Sequence, residues 1–198
     1  MNEPQDRQVH SLDARSLRGL AHPLRMRLLS ALRRGGPATA SQLAAKLGES
    51  SGATSYHLRQ LAAHGFVEDV PEHGKGRERW WKAVHMGVRF DETLLKDRDP
   101  EVRGAADLFL HEVANQHTAD LATWLGTRED WSEAWNRASD MSDWTLSLTP
   151  QLAAELVEKM HDLLESYRVL ASEAGTPDAQ QVRVHTHVLP IHTDREAT

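Results

Sequence analysis

The chain has 198 residues, enough for one large or two small domains, and it contains no cysteine, which excludes disulfides, thiolate metal sites and cysteine catalysis. The net charge of −6 is unevenly distributed: residues 12–90 hold 13 Lys and Arg against six Asp and Glu, a net of +7, whereas residues 91–198 hold nine against 21, a net of −12. A basic segment of this size is typical of a nucleic-acid partner.

The sequence has no apolar run of about 18 residues and no signal-peptide pattern. We therefore expect a cytoplasmic protein with no membrane partner. Paired carboxylates, a nucleophile elbow and a phosphate-binding loop are also missing, so the sequence predicts neither an enzyme nor a cofactor.

The N-terminal part reads as three helices after a flexible segment, residues 1–11. The first helix spans about Leu12 to Leu20, and Pro23 suits the first position of the next. Leucines of the second helix face inward and its arginines outward, until Gly35 and Gly36 end it. Thr39 or Ser41 caps the third helix, which covers residues 42–47.

The chain is organised around residues 47–65. Ser50 is a good N-cap, and small or apolar residues recur after it at helical spacing, while Gly65 suits a left-handed C-cap. A short helix, a turn with Gly48 and a second helix form a helix-turn-helix pattern. The outer face has short hydrogen-bonding side chains that fit a DNA major groove. The candidate reading residues are Ser51, Gly52, Thr54, Ser55, Tyr56, His57 and Arg59.

A β-hairpin is predicted next. Residues 66–70 read as one strand, residues 71–76 as a glycine-containing loop and residues 77–84 as the returning strand, with Trp80 and Trp81 on opposite faces. Basic residues cluster at its tip, as in a wing that reaches DNA phosphates. The candidate phosphate contacts are Lys75, Arg77 and Arg79, with Arg25 and Arg27 as helpers.

Four blocks in this region resemble ArsR-type winged-helix repressors. They are LAHPLRMRLLSAL at residues 20–32, SYHLRQL at 55–61, GFV at 65–67 and GRERWWK at 76–82. The resemblance covers residues 12–90 and implies a dimeric bacterial transcription regulator that binds a palindromic operator, usually as a repressor released by an effector.

The sequence departs from that family where the effector binds. The helix before the recognition helix, residues 40–47, has no thiol for sensing metals. His117 and Asp120 match half of the family's zinc pattern, but Gly104 and Ala106 occupy the other half and cannot ligate. We therefore interpret these polar residues as a solvated helix face.

The C-terminal half is predicted to be an acidic α+β appendage. A long helix over residues 100–125 carries an apolar stripe that includes Val102, Phe109 and Trp124, and by resemblance this helix dimerises. Trp131 and Trp135 are placed on a short helix. Alternation predicts paired strands at residues 144–148 and 181–191. Between them a helix opens at Thr149 and Pro150, is predicted to bury an apolar face, and stops at Gly175. That face comprises Leu152, Leu156, Met160, Leu163, Tyr167 and Leu170.

Two groups of residues in this half have competing interpretations. Trp124, Trp131, Trp135 and Trp144 would line an apolar pocket for a small organic effector, or serve as core and interface anchors. His185, His187 and His192 would bind a metal, or belong to a polar edge strand, which is the favoured interpretation.

The predicted fold class is mainly α with small β: a winged helix-turn-helix domain followed by a long dimerisation helix and the appendage. The predicted domains are a flexible N-terminus (1–11), a DNA-binding domain (12–90) and a dimerisation and effector domain (91–198). The predicted function is a sequence-specific DNA-binding repressor that acts as a homodimer on a palindromic double-stranded operator. The alternative is a winged-helix module that docks proteins and binds no DNA.

Overall fold

The computed structural model describes residues 9–71, 78–173 and 179–191. The fold is mainly helical with small sheets, as predicted. Residues 1–125 and 126–198 form two compact units, and each is described by itself. Within the described part of the chain, no helix is both long and apolar enough to cross a membrane.

The described elements have the following bounds. The helices are α1 (Ala14–Leu20), α2 (Pro23–Gly35), α3 (Ala40–Leu47), α4 (Ser51–Ala63), α5 (Pro100–Thr127), α6 (Glu133–Ala138) and α7 (Pro150–Glu173). The strands are β1 (Val9–Ser11), β2 (Ala38–Thr39), β3 (Val67–Asp69), β4 (Trp80–Ala83) and β5 (Gly87–Arg89). Short 3-10 helices cover Glu92–Lys96 and Arg128–Asp130.

Capping residues explain where the helices of the first unit begin. Thr39 and Gln42 form a reciprocal capping box at the start of α3, and the Ser50 hydroxyl accepts a bond from the Ala53 amide at the start of α4. Gly65 has a φ of +75°, as expected for the left-handed turn that leads out of α4. These sequence predictions are confirmed.

The predicted hairpin is part of a three-stranded antiparallel sheet with the order β2-β4-β3. Trp81 is buried and pairs with Ala38 and Asp69 in this sheet, whereas Trp80 is only half-buried, as the predicted alternation requires. The loop expected between β3 and β4 lies largely outside the described residues.

The N-terminal segment is ordered further than predicted. Residues 9–11, expected to be flexible, form β1 and pair in parallel with β5, and the Leu12 amide donates to the Arg89 carbonyl at 2.9 Å. The partner strand lies nearly 80 residues away in the sequence. Local composition therefore gave no sign of the pairing, because β1 is stabilised by a distant strand.

The long helix α5 belongs to the first unit through most of its length. Val102, Ala106 and Phe109 are buried in the core of this unit, and the Phe109 ring stacks on Phe90 at 5.6 Å. The two compact units divide after residue 125, near the end of α5. The start of the stripe assigned to dimerisation is covered by its own chain, so Phe109 is a core residue.

The second unit differs from its prediction in three respects. Residues 139–149 and 179–191 form no strand, Trp131 precedes α6, and the apolar face of α7 is not buried. The start of α7 after Thr149 is confirmed, and the expected stop at Gly175 lies outside the described residues. Alternation alone does not create a strand, since each strand needs a partner for its backbone groups.

Candidate nucleic-acid interface

Helix α4, called the recognition helix below, has an outer face without acidic residues. Ser51, Gly52, Tyr56 and Arg59 are exposed on it, and Ser55 is half-buried. The exposed fraction of Tyr56 is 52%, although it is a large side chain. This face combines small residues in the first turn with a cation further along, as the sequence predicted.

Thr54 does not belong to this face. Its exposed fraction is 0%, and its hydroxyl has no hydrogen-bond partner among the described residues. It lies four residues before Leu58 and seven before Leu61, both of which are buried. That spacing already places Thr54 on the inner face of a helix, so its assignment as a reading residue was wrong.

His57 packs against the start of α2. Its ring lies 4.3 Å from the ring of His22, and its buried Nδ1 has no hydrogen-bond partner among the described residues. Burial lowers the pKa of both histidines, and the nearby Arg25 charge lowers each pKa further. His57 is therefore a contact between helices, which its sequence position alone did not indicate.

Arg25 and Arg27 both bind acceptors of the protein itself. Arg27 donates from Nη1 to the Glu49 carboxylate at 3.0 Å and from Nη2 to the Leu47 carbonyl at 2.8 Å. Arg25 donates to the Arg18 carbonyl at 2.9 Å, and burial lowers its pKa. Arg27 therefore stabilises the turn before the recognition helix. Its predicted contact with DNA phosphate stays a prediction.

The base of the wing carries a described cation, Arg79, whereas Lys75 and Arg77 lie outside the described residues. Arg79 forms a 3.0 Å ion pair with Asp69, and its guanidinium group lies 5.4 Å from the centre of the Trp81 ring. Its side chain is 59% exposed despite both contacts. It remains accessible to a ligand on the outside of the sheet.

A hollow of about 370 Å³ lies between the first turn of α3, the recognition helix and β4. Its lining includes Thr39, Ser41, Ser55, Arg59, Arg79 and Trp81, together with Ala40 and Glu78. The two arginines, predicted from different elements, thus border one concave surface. No residue at the start of α3 was among the predicted site residues, although the capping signal at Thr39 indicated a helix N-terminus there.

The four tryptophans of the predicted effector pocket are found in different settings. Trp124 is half-buried in the first unit, and Trp144 of the second unit is 80% exposed. Trp131 and Trp135 contact each other edge to face, with ring centres 6.5 Å apart. The effector pocket stays a prediction.

The candidate metal ligands are not supported by geometry. His185 and His187 lie in the irregular segment 179–191, so the strand face that they were expected to share is not formed, and His192 lies outside the described residues. Asp120 forms a 2.8 Å ion pair with Arg34. Within residues 9–71, 78–173 and 179–191, no group of three or more potential metal ligands is found.

Residues 20–70 match a family described as a helix-turn-helix domain. This match coincides with α2, α3, the recognition helix and β3, and it supports a DNA-binding regulator. No curated protein matches the chain.

Several solved structures are similar to part of the chain. Reduced HlyU from Vibrio cholerae is 21% identical, with 49% of this chain and 82% of that chain covered and a TM-score of 0.31. The AntR antimony-specific transcriptional repressor is 25% identical, with coverages of 52% and 78% and a TM-score of 0.33. Wild-type MarR from E. coli, in its apo form, is 18% identical, with coverages of 57% and 87% and a TM-score of 0.31.

Proposed function

We propose that this chain is a transcriptional regulator of the ArsR type that binds a palindromic DNA operator as a homodimer and represses the adjacent gene. The observation that carries the proposal is the acid-free outer face of the recognition helix, which borders the same hollow as Arg79 of the wing. Small side chains let the helix backbone approach base edges, and guanidinium groups bind phosphate.

Each component has a distinct part in this proposal. Ser51, Gly52, Ser55 and Tyr56 face the bases, because they lie on the outer face of the recognition helix. Arg59 and Arg79 contact the phosphate backbone, which fixes the position of the helix but reads no sequence. The basic charge of residues 12–90 attracts the duplex, and the acidic remainder of the chain stays away from it.

The homodimer follows from the geometry of operators. One recognition helix contacts one half-site, and two half-sites about one helical turn apart need two copies related by a twofold axis. Repression, and its relief by an effector, are proposed from the resemblance to the ArsR-type proteins.

The test is binding of the purified protein to fragments of its own upstream region over a range of salt concentrations. Affinity should fall steeply as salt rises, because each bound arginine or lysine releases counterions. Arg59→Ala should lower the salt slope by about 1 and weaken binding to all sequences. Arg137→Ala is the matched control, since Arg137 is 69% exposed and pairs with Glu133 in the second unit.

The same titration separates the proposal from the docking-module alternative. A protein that shifts no fragment at low salt, its own promoter included, would overturn the DNA-binding proposal and favour the docking-module alternative. Equal effects of Arg59→Ala and Arg137→Ala would instead show that the cationic surface is not where we place it.

A further inference from the structure

Helix α7 carries a regular apolar stripe along its described side chains. The stripe residues are separated alternately by three and four positions, which is the heptad spacing of helices that pack along their length. They are Ala153, Leu156, Met160, Leu163, Tyr167 and Leu170.

Among the described residues, the stripe is partly covered at Ala153, Leu156 and Met160 and open in its C-terminal half. The exposed fractions of Leu163, Tyr167 and Leu170 are 58%, 66% and 57%. Among the described residues beyond position 125, no side chain is buried at all. An isolated helix with such a face is marginal in water, because most helical stability in proteins comes from packing of that face.

The charges of α7 lie away from the stripe. Glu155, Glu158, Asp162 and Glu165 occupy the heptad positions opposite to it, and Glu155 and Glu165 form ion pairs with Lys159 and Arg168. Two acidic units would ordinarily repel each other, but here the acids project away from the seam. The charge pattern therefore permits the same surface of a second copy as the partner.

We propose that the α7 stripe packs against α7 of a second copy of this chain. With 24 residues, α7 is about 36 Å long. The stripe has five large apolar side chains, and Leu152, Val157 and Leu164 flank it on α7. Covering about half of the surface of these eight side chains on each copy buries roughly 1,000 Å² in total, which is the lower limit for a specific interface. Trp144, Leu146 and Leu148, which precede α7 and are exposed, add apolar surface to the same unit.

This inference rests on the homodimer of the proposed function but not on DNA binding. Its test uses the absence of cysteine, which makes one introduced thiol a unique probe. Leu163→Cys places a thiol in the stripe. Val169→Cys is the control, because Val169 is 41% exposed and lies at a heptad position opposite to the stripe. The alkylation rate of each full-length variant is measured over a range of protein concentrations.

The Leu163→Cys thiol should react several-fold more slowly as concentration rises, in step with the loss of monomer, while Val169→Cys should keep its rate. A Leu163→Cys rate that is fast at every concentration would mean an uncovered stripe. A slow rate in a protein that sediments as monomer would mean cover by the same chain. Both results overturn the inference, whereas a slow rate in a protein that sediments as dimer at every dilution supports it. At the same protein concentration, Leu163→Glu should sediment as monomer and Val169→Glu as dimer.

The two proposals fail in different ways. A protein that dimerises through α7 and shifts no DNA retains this inference and loses the proposed function. A protein that binds its promoter, while its Leu163→Cys thiol reacts fast at every concentration, retains the proposed function and loses the α7 seam.

Discussion

The guanidinium group of Arg27 bridges the carboxylate of Glu49 and the carbonyl oxygen of Leu47, at 3.0 and 2.8 Å. This contact ties α2 to the turn between α3 and the recognition helix. The side chains of Arg27 and Glu49 are 42% and 31% exposed, so solvent screens their attraction. The main effect of the contact is therefore to fix the geometry of the turn.

Arg27→Met should therefore lower the free energy of unfolding by about 1 kcal/mol, since one screened ion pair and one hydrogen bond are lost. Urea denaturation measures this change, with Arg137→Met as the exposed control. The salt slope of DNA binding should stay as in the wild type. A slope lower by about 1 would show that Arg27 contacts phosphate after all.

Three histidines of the first unit should make stability depend on pH. Burial is the main cause that lowers the pKa of His10, His22 and His57 in the folded chain. In the unfolded chain the pKa of each histidine is about 6.5, so on acidification the unfolded chain binds more protons than the folded chain. The free energy of unfolding should therefore be highest above about pH 6.5 and should decrease as the pH falls through the lower pKa values of the folded chain.

Urea midpoints between pH 7.5 and 5.5 test this dependence. His57→Gln should weaken the pH dependence of the urea midpoint, because the variant lacks the proton that His57 takes up on unfolding. His161→Gln, on the exposed surface of α7, serves as the control. A wild-type midpoint that rises on acidification over this interval would contradict the assignment.

Thr54→Val should stabilise the first unit. A buried hydroxyl without a partner costs roughly 1–3 kcal/mol, and valine has nearly the same shape, so we expect a gain of about 1 kcal/mol in thermal or urea unfolding. Discrimination between operator and random DNA should not change. Ser51→Ala, on the exposed first turn, should instead reduce discrimination and leave stability nearly unaltered; the reverse pattern would return Thr54 to the reading surface.

Asp69→Asn should strengthen DNA binding, because it releases Arg79 from its ion pair at the base of the wing. Glu68→Gln removes the same charge from the neighbouring position, where Glu68 pairs with Lys82 at 3.0 Å. Competition binding with random DNA compares the two. A larger gain for Asp69→Asn supports the contact of Arg79 with phosphate, and equal gains would assign the effect to net charge alone.

Phe109→Ala should destabilise the first unit by about 3–5 kcal/mol, as expected when a buried aromatic side chain leaves a cavity. The loss should be the same at all protein concentrations, because Phe109 packs on Phe90 of its own chain. Leu121→Ala, whose parent residue is 42% exposed, should cost far less. Unfolding curves at two protein concentrations check both expectations, and a loss that depends on concentration would return Phe109 to an interface.

The sequence predicted the elements that local rules determine. Ser50, Pro23 and Gly65 mark helix ends because caps and turns depend on a few adjacent residues. The β1–β5 pairing could not be predicted, since it joins Val9 to Gly87 across most of a domain. The burial of Thr54 could have been predicted from its spacing to Leu58.

The candidate site follows the same division. The outer face of the recognition helix was read from periodicity, but the ring contact of His57 with His22 depends on how two helices cross. In the second unit, alternation around Trp144 predicted a strand, although the described residues of the expected partner segment, 181–191, form no strand. Helix α7 starts where the sequence predicted, but the burial predicted for its apolar face was wrong, because spacing alone does not state whether the covering surface belongs to the same chain.

Helix α5 is anchored to the first unit at two places along its length. Its first turns are buried in the core through Val102, Ala106 and Phe109, and further along Asp120 forms an ion pair with Arg34 of α2. Asp120 lies about 16 Å beyond Phe109 along the helix axis, so a tilt of about 10° about the buried turns would move Asp120 by roughly 3 Å. Arg34 belongs to α2, the same helix whose Arg27 holds the turn before the recognition helix. A tilt of α5 would therefore have to break the Arg34–Asp120 ion pair or move α2 with it.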